Sequence, residues 1–88
     1  MKTIWKYKLQ TTDYQEVEMP SGATILTVQT QNGEPCIWCL CNPNNLKQFR
    51  GIRIIGTGHE KGYIEGSYIG TYQLHSYQLV FHVFETTI

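Results

Sequence analysis

Residues 56–62, with the sequence GTGHEKG, form the segment of this chain that is richest in groups able to do chemistry. A glycine-rich turn after a strand can direct backbone N–H groups towards an anion, and the side chains of His59 and Lys61 could add positive charge. Thr57, Gly58, His59 and Lys61 are therefore candidate ligand-binding residues. The segment is not a phosphate loop or a dinucleotide fingerprint, because no helical pattern follows it. The alternative is a mobile loop that only connects two strands.

Two arginines, Arg50 and Arg53, lie three positions apart on one predicted strand, so their side chains face opposite sides of the sheet. We expect one to be exposed and the other to be paired, at an interface or lining a pocket, because an unpaired buried guanidinium is costly. Arginine also binds phosphate or carboxylate groups through two hydrogen bonds. We select Arg53 as the binding candidate because it shares a strand face with Phe49 and Ile55, which we expect to border a concave surface.

Tyr68 and Tyr72 are the aromatic candidates. They share one parity of a predicted strand, with Gly70 between them, and this arrangement would leave a flat slot in which a nucleobase could stack. The alternative is that these rings, like most of the other Trp and Tyr side chains, serve the core and the interfaces.

The three cysteines, Cys36, Cys39 and Cys41, resemble half of a zinc site. A zinc site needs four N or S ligands, and strand alternation places Cys36 on the face opposite the other two. We therefore expect no metal and no cofactor, and we assign the thiols to packing. His75 and His82 are expected to be structural, because the sequence places no catalytic partner beside them. For the same reason we expect a protein that is not an enzyme.

Charge in this chain of 88 residues is sparse and balanced, with seven basic and seven acidic side chains. Charged residues make up 16% of the sequence, well below the usual level of about 25%. Without clustered Lys and Arg, the sequence predicts no binding to duplex nucleic acid. A weakly charged surface rich in tyrosine favours protein contacts, so we expect a homo-oligomer. The alternative is a monomer with a polar, uncharged surface.

The sequence also predicts the compartment. No stretch approaches the roughly 20 apolar residues of a membrane span, and the opening MKTIWKYKLQ has no continuous apolar run. An odd number of cysteines favours a reducing compartment. We therefore expect a cytoplasmic protein without membrane contact.

Alternation of apolar and polar residues with a period of two dominates the chain and indicates β-strands. The predicted strands cover residues 3–9, 14–19, 23–31, 35–41, 47–55, 68–75 and 77–85, with a short extended piece at 63–67. The first should be half-buried, with its lysines turned to solvent, and Asn32-Gly33 should form a type I′ hairpin turn. The prediction is a single all-β or β-dominated domain over residues 1–88, a small antiparallel barrel or sandwich of about seven strands.

Several segments in this order resemble a family of small uncharacterised proteins encoded by phages and prophages. They are TIWKY at 3–7, Met19-Pro20, NGEPCIW at 32–38, GTGH at 56–59, YIGT at 68–71 and LVFHVFE at 79–85. The resemblance implies a phage or prophage accessory protein. It implies no activity and assigns no functional residue.

Some small phage proteins are counter-defence sponges, which sequester the nucleotide-derived signals of bacterial immune systems such as Thoeris and CBASS. By analogy of size, origin and composition, we expect a non-enzymatic protein that sequesters a small anionic nucleotide-type ligand at oligomer interfaces. The alternative is a protein–protein inhibitor or adaptor that binds a host defence protein, or a minor virion component, without a small-molecule ligand.

Overall fold

Alternating side chains produce seven β-strands in the computed structural model, which describes residues 1–60, 65–74 and 78–86. The strands are β1 Thr3–Lys8, β2 Tyr14–Pro20, β3 Thr24–Gln31, β4 Glu34–Cys41, β5 Lys47–Gly56, β6 Ser67–Leu74 and β7 Leu79–Thr86. They form two antiparallel sheets, one with the order β1-β4-β3 and one with the order β2-β5-β7-β6. The predicted all-β fold is confirmed. Within the described residues no ladder joins the two sheets, so the closed-barrel alternative is wrong.

The hairpin between β3 and β4 forms where it was predicted. Gln31 pairs with Glu34, and Asn32 and Gly33 between them have φ angles of 54° and 78°. Both central residues of a type I′ turn need positive φ, which Gly adopts freely and Asn adopts more readily than other side chains. This turn therefore fixes the register of the β3–β4 pair.

The core lies between the sheets and contains side chains from both of them. The three-stranded sheet contributes Val28, Ile37, Cys39 and Cys41, and the four-stranded sheet contributes Met19, Ile52, Ile54, Tyr72 and Val83. The sheets contact each other where β3 packs against β6. Period-two alternation leaves the intervening residues of each strand on the outer face.

Within the described strands, two β-bulges interrupt the simple alternation of side chains. In β3 the register shifts between Ile25 and Thr27, and in β6 it shifts between Tyr68 and Gly70. Each bulge adds one residue to one strand and reverses which parity faces the core. The second bulge decides how the aromatic side chains of β6 are distributed.

Strand β1 differs from its prediction. We expected a half-buried strand, but in β1 only Tyr7 is partly buried, while Ile4 is 54% exposed and Trp5 is 37% exposed. The reason is its position, since β1 is an edge strand that pairs with β4 on one side. The lysines are exposed as predicted. Of the predicted extended piece at residues 63–67, residues 63 and 64 lie outside the described ones, and Ser67 begins β6.

The two arginines of β5 separate as predicted. Arg53 is exposed, whereas Arg50 forms a salt bridge with Glu85 of β7, and the two side chains are 16% and 27% exposed. A guanidinium N–H of Arg50 also donates to the carbonyl oxygen of Ala23 at 2.8 Å. This ion pair is therefore a structural element on the core side of the sheet. In the described part of the chain there is no helix that is long and apolar enough to span a membrane.

Candidate functional site: the outer face of the four-stranded sheet

Four side chains form a row across the outer face of the four-stranded sheet. Tyr14 of β2 pairs with Arg53 of β5, Arg53 pairs with Phe84 of β7, and Phe84 pairs with Tyr68 of β6. Directly opposed residues in antiparallel strands lie on the same face. We call Tyr14, Arg53, Phe84 and Tyr68 the stacking row.

Contacts within the stacking row hold its members in place. The guanidinium carbon of Arg53 lies 5.1 Å from the centroid of the Tyr14 ring, a cation–π distance. At the other end, the Tyr68 and Phe84 rings are 5.6 Å apart at an interplanar angle of 64°, an edge-to-face pair. Tyr68 is still 60% exposed. The row therefore combines a fixed exposed cation with an exposed aromatic surface.

A chain of hydrogen bonds lies beside the stacking row on the same face. The Tyr68 hydroxyl contacts Thr71 Oγ1 at 2.5 Å, Thr71 Oγ1 contacts His82 Nδ1 at 3.0 Å, and His82 Nε2 contacts Thr57 Oγ1 at 2.7 Å. Thr57 Oγ1 in turn donates to the carbonyl oxygen of Val80 at 3.2 Å. This hydroxyl–imidazole chain, Tyr68–Thr71–His82–Thr57, links β6, β7 and the turn after β5.

One set of proton positions satisfies every group in the hydroxyl–imidazole chain. Tyr68 donates to Thr71, Thr71 donates to His82 Nδ1, His82 Nε2–H donates to Thr57, and Thr57 donates to the Val80 carbonyl. This pattern places a ring proton of His82 on Nε2. The chain therefore orients His82 and leaves the second lone pair of the Tyr68 oxygen free to accept a hydrogen bond from a ligand.

The glycine-rich turn begins as a compact β-turn. The N–H of His59 donates to the Gly56 carbonyl at 3.1 Å, and Gly58, in the third position, has a φ of 86° that Gly adopts easily. The N–H of Thr57 donates to the Val80 carbonyl at 3.0 Å. These two N–H groups are thus used within the protein. The N–H groups of Thr57 and His59 are therefore not available to an anion, and anion binding by the other N–H groups of residues 56–62 stays a prediction.

A cleft of about 390 Å³ lies between this turn and the start of β7. It is lined by Thr57, His59, Gln78, Leu79, Val80 and Phe81. The His59 ring folds back over Gly56, where a Cβ would lie only 3.0 Å from the ring atoms. The turn therefore places Thr57 and His59 on one wall of an open, mostly apolar cleft.

The structure separates the two tyrosines that we expected to flank a slot. Because of the β6 bulge, Tyr72 is opposite Phe81 rather than Val80, and it faces the core with 3% of its surface exposed. Its ring stacks on Phe81 at 5.4 Å, and its hydroxyl contacts Thr11 Oγ1 at 2.8 Å. The predicted slot does not form. Gly70 also faces inwards, against Val28 of β3.

Of the predicted site residues, the structure brings Arg53, Tyr68 and Thr57 to the same sheet face, and it places Gly58 and His59 in the adjoining turn. Tyr72 belongs to the core. Lys61, also predicted, lies outside the described residues.

Sequence reasoning did not select Tyr14, Phe84, Thr71 or His82. Alternation along β7 does put His82 and Phe84 on one face, but it does not show which strands lie beside β7. Tyr14 is 39 positions before Arg53, so only the strand order brings them together. A hydrogen bond to Glu16 at 3.0 Å helps to fix Tyr14, and partial burial together with Glu16 raises the pKa of its hydroxyl above the usual value of 10.0.

The thiols and possible metal ligands lie apart from this face. Cys36, Cys39 and Cys41 are all buried, and burial raises the pKa of Cys39 from 9.0 to about 11. Among residues 1–60, 65–74 and 78–86, no three His, Cys, Asp or Glu side chains are grouped so that they could hold a metal ion. The outer face can therefore stack a planar ring, bind an anion through the Arg53 guanidinium and form hydrogen bonds.

Comparisons with known proteins give one result. Searches of curated proteins and of solved structures find no match to this chain. A family model described as a domain of unknown function, DUF7352, matches residues 1–88, and the chain therefore belongs to that family.

Proposed function

We propose that this protein is a non-enzymatic binding protein that holds a small anionic ligand with a planar ring, of the nucleotide class, on the outer face of the four-stranded sheet. The observation that carries the proposal is the stacking row, in which an exposed arginine and an exposed tyrosine lie on one rigid surface. Sites built on paired strands hold their side chains more precisely than sites on loops.

Arg53 supplies the group that would bind the anion. In the described part of the chain its guanidinium has no carboxylate partner, unlike that of Arg50, and its contact with Tyr14 fixes the side chain without using its outward N–H groups. A guanidinium can donate two parallel hydrogen bonds to a phosphate or carboxylate. This explains how a chain with no net charge could still bind an anion.

Tyr68 supplies the surface for the planar ring. Phe84 contacts it edge-on and leaves most of the Tyr68 side chain open to solvent. Stacking of a base on an aromatic side chain contributes about 1 to 3 kcal/mol and is available to any planar heterocycle. The Tyr68 oxygen and the adjoining cleft, with Thr57 and His59, offer polar contacts to the rest of such a ligand.

The biological role that we propose follows from the sequence resemblance. A phage or prophage accessory protein with this surface could act in the host cytoplasm by sequestering a nucleotide-derived immune signal. Such a protein needs affinity and abundance but no catalytic group. Membership in a family of unknown function leaves this role as our proposal.

The second candidate function is that of a protein–protein inhibitor or adaptor that binds a host protein. The observation that favours it is the number of large apolar side chains on the surface, among them Ile4 and Leu26 of the three-stranded sheet, at 54% and 46% exposed, and Leu46 at 87%. Exposed apolar groups that lie together mark protein interaction sites. A pull-down that recovers one host protein in stoichiometric amount with wild type, and not with Ile4→Asp, would favour this function.

Thermal-shift measurements with cyclic nucleotides, nucleoside diphosphates and ADP-ribose test the main proposal, with inorganic phosphate as the comparison ligand. A ligand that binds only the folded state raises the melting temperature. For a nucleotide that does so, we expect Arg53→Ala to weaken binding roughly tenfold to a hundredfold, since hydrogen bonds to charged groups contribute about 1.5 to 3 kcal/mol. Calorimetry gives the affinity, and chromatography of the recovered ligand shows whether it is intact.

Matched variants separate the contributions. Lys47→Ala removes another exposed cation from the same strand and should leave the affinity unchanged. Tyr68→Phe keeps the ring and should bind within a few-fold of wild type, whereas Tyr68→Ala should bind at least about tenfold more weakly. The proposal is wrong if no nucleotide stabilises the protein, or if binding is insensitive to both Arg53→Ala and Tyr68→Ala.

A further inference from the structure

Strand β1 lies at one edge of the three-stranded sheet, and strand β2 lies at one edge of the four-stranded sheet. Within the described residues, β1 pairs with β4 alone and β2 pairs with β5 alone. An edge strand presents N–H and C=O groups that can form a ladder with another chain. The opposite edge strands, β3 and β6, pack against each other within the molecule, so β1 and β2 are the edges left to pair with another chain.

The two edges carry opposite charges on their outer faces. Lys6 and Lys8 alternate along β1, whereas Glu16 and Glu18 alternate along β2. All four side chains are exposed. Glu16 and Glu18 are on the outer face because they share the parity of Tyr14, a member of the stacking row. Lys6 and Lys8 contact Gln31 and Glu34, side chains of the β3–β4 hairpin.

The inner faces of the same edges carry apolar groups. Trp5 of β1, which pairs with the buried Cys39, is still 37% exposed, and Val17 of β2 is half-buried. Each of these side chains is covered by its own molecule on one side only, because each lies on an edge strand. A neighbouring strand placed beside either edge would cover it.

We propose that β1 of one copy pairs with β2 of the next copy, so that the chains assemble head to tail. Like edges repel, because a β1–β1 pair places lysines opposite lysines and a β2–β2 pair places glutamates opposite glutamates. The β1–β2 pair instead joins opposite charges on the outer face and brings Trp5 towards Val17 on the inner face. The two sheets then form one continuous seven-stranded sheet across each contact.

Head-to-tail contacts have a definite consequence for the assembly. Because the two surfaces in contact differ, the contact is heterologous, and repeating it gives a closed ring or an open filament rather than a two-fold dimer. The ion pair between Lys8 and Glu34 at 3.2 Å does not prevent this, since both side chains are more than half exposed and such pairs contribute little. Lysines on an edge strand can also simply prevent aggregation, and this role predicts a monomer.

Charge reversal tests the proposal through the oligomeric state, measured without ligand by native mass spectrometry and sedimentation over micromolar concentrations. We expect wild type to assemble. The variant with Lys6→Glu and Lys8→Glu has two acidic edges, and the variant with Glu16→Lys and Glu18→Lys has two basic edges. Each of these should be monomeric by itself, and mixing the two should restore assembly, because every contact then joins an acidic edge to a basic one.

The controls keep the result interpretable. Glu60→Lys and Glu65→Lys change exposed charges outside β1, β2 and the strands paired with them, and both should assemble as wild type does. Circular dichroism establishes that each charge-reversed variant is folded, and the restoration on mixing requires folded partners. A monomeric wild type, or charge-reversed variants that assemble unmixed as wild type does, would overturn the proposal. None of these results depends on the ligand proposed above, so the two proposals can fail separately.

Discussion

Gly70 of β6 lies so close to Val28 of β3 that a Cβ atom at position 70 would be 2.8 Å from Val28 Cγ1. This is the place where the two sheets contact, and Val28 is 4% exposed and cannot move into solvent. A β-branched side chain has few rotamers with which to give way. We expect Gly70→Ala to lower the free energy of unfolding by about 1 to 3 kcal/mol, the usual cost of overpacking, as measured by urea denaturation.

Combining Gly70→Ala with Val28→Ala identifies the cause of this loss of stability. Val28→Ala removes the methyl group that clashes, so Gly70→Ala should be much less harmful in the Val28→Ala background than in wild type. Contacting residues show such non-additive effects, whereas independent sites add. Additive losses would mean that the glycine is needed for another reason, such as its backbone conformation.

The ion pair between Arg50 and Glu85 leads to a second prediction. Besides its bonds to Glu85, Arg50 donates to the Ala23 carbonyl, so removing Glu85 leaves a largely buried guanidinium without its countercharge. We expect Glu85→Gln to lower the free energy of unfolding by about 2 to 4 kcal/mol, since an unbalanced buried charge is costly. Denaturant titration at neutral pH measures the loss.

The matched comparison replaces both partners at once. Arg50→Met together with Glu85→Leu removes both charges and keeps apolar volume, and this pair should be less destabilising than Glu85→Gln alone. If the double variant is far less stable than either single variant, the two side chains contribute more to stability than the neutralisation of each other's charge.

The β3–β4 turn provides a prediction with an internal control. Asn32 has a φ of 54°, a conformation that costs most L-residues about 1 to 2 kcal/mol. Asn32→Val should therefore lower the free energy of unfolding by about that amount, while Asn32→Gly should change it by less than about 0.5 kcal/mol. Thermal denaturation of the two variants distinguishes the outcomes, and equal losses would contradict the turn assignment.

Much of the fold was predictable because it is encoded locally. Period-two alternation located all seven strands to within a few residues, and Asn32-Gly33 specified its own turn. The separation of Arg50 from Arg53 followed from their spacing together with the cost of burying an unpaired charge. Each of these inferences uses residues that are neighbours in the chain.

The site was only partly predictable because it depends on pairing between distant strands. The single bulge at Ile69 reverses the facing of every later residue in β6, so Tyr72 enters the core while Tyr68 stays outside. Gly70 was a signal of irregularity, since glycine within a strand often marks a bulge or a close approach, but it does not show where the extra residue lies. The neighbours of Arg53 in the stacking row follow from the order β2-β5-β7-β6, which alternation leaves open.

The buried thiol of Cys39 predicts how stability depends on alkaline pH. Burial raises its pKa from 9.0 to about 11. Among the smaller effects, Arg50 lowers this pKa, and Cys41 and Glu85 raise it. Above about pH 9 the unfolded chain releases this proton while the folded chain retains it. The free energy of unfolding should therefore be unaffected by this group below pH 9 and should fall between about pH 9 and 11, by up to about 2 to 3 kcal/mol.

Cys39→Ala tests this assignment against other alkaline titrations. Burial also raises the pKa values of Tyr7 and Tyr72, and the variant retains both groups, so most of their contribution cancels in the comparison; only the smaller part of the Tyr7 shift that comes from Cys39 is lost. Loss of volume makes the variant less stable at neutral pH, but the difference from wild type should shrink as pH rises from about 8 to about 11, because only wild type loses the contribution of the thiol. Urea denaturation across this range measures the difference. A gap between the two proteins that stays constant with pH would show that Cys39 does not titrate differently in the folded and unfolded states.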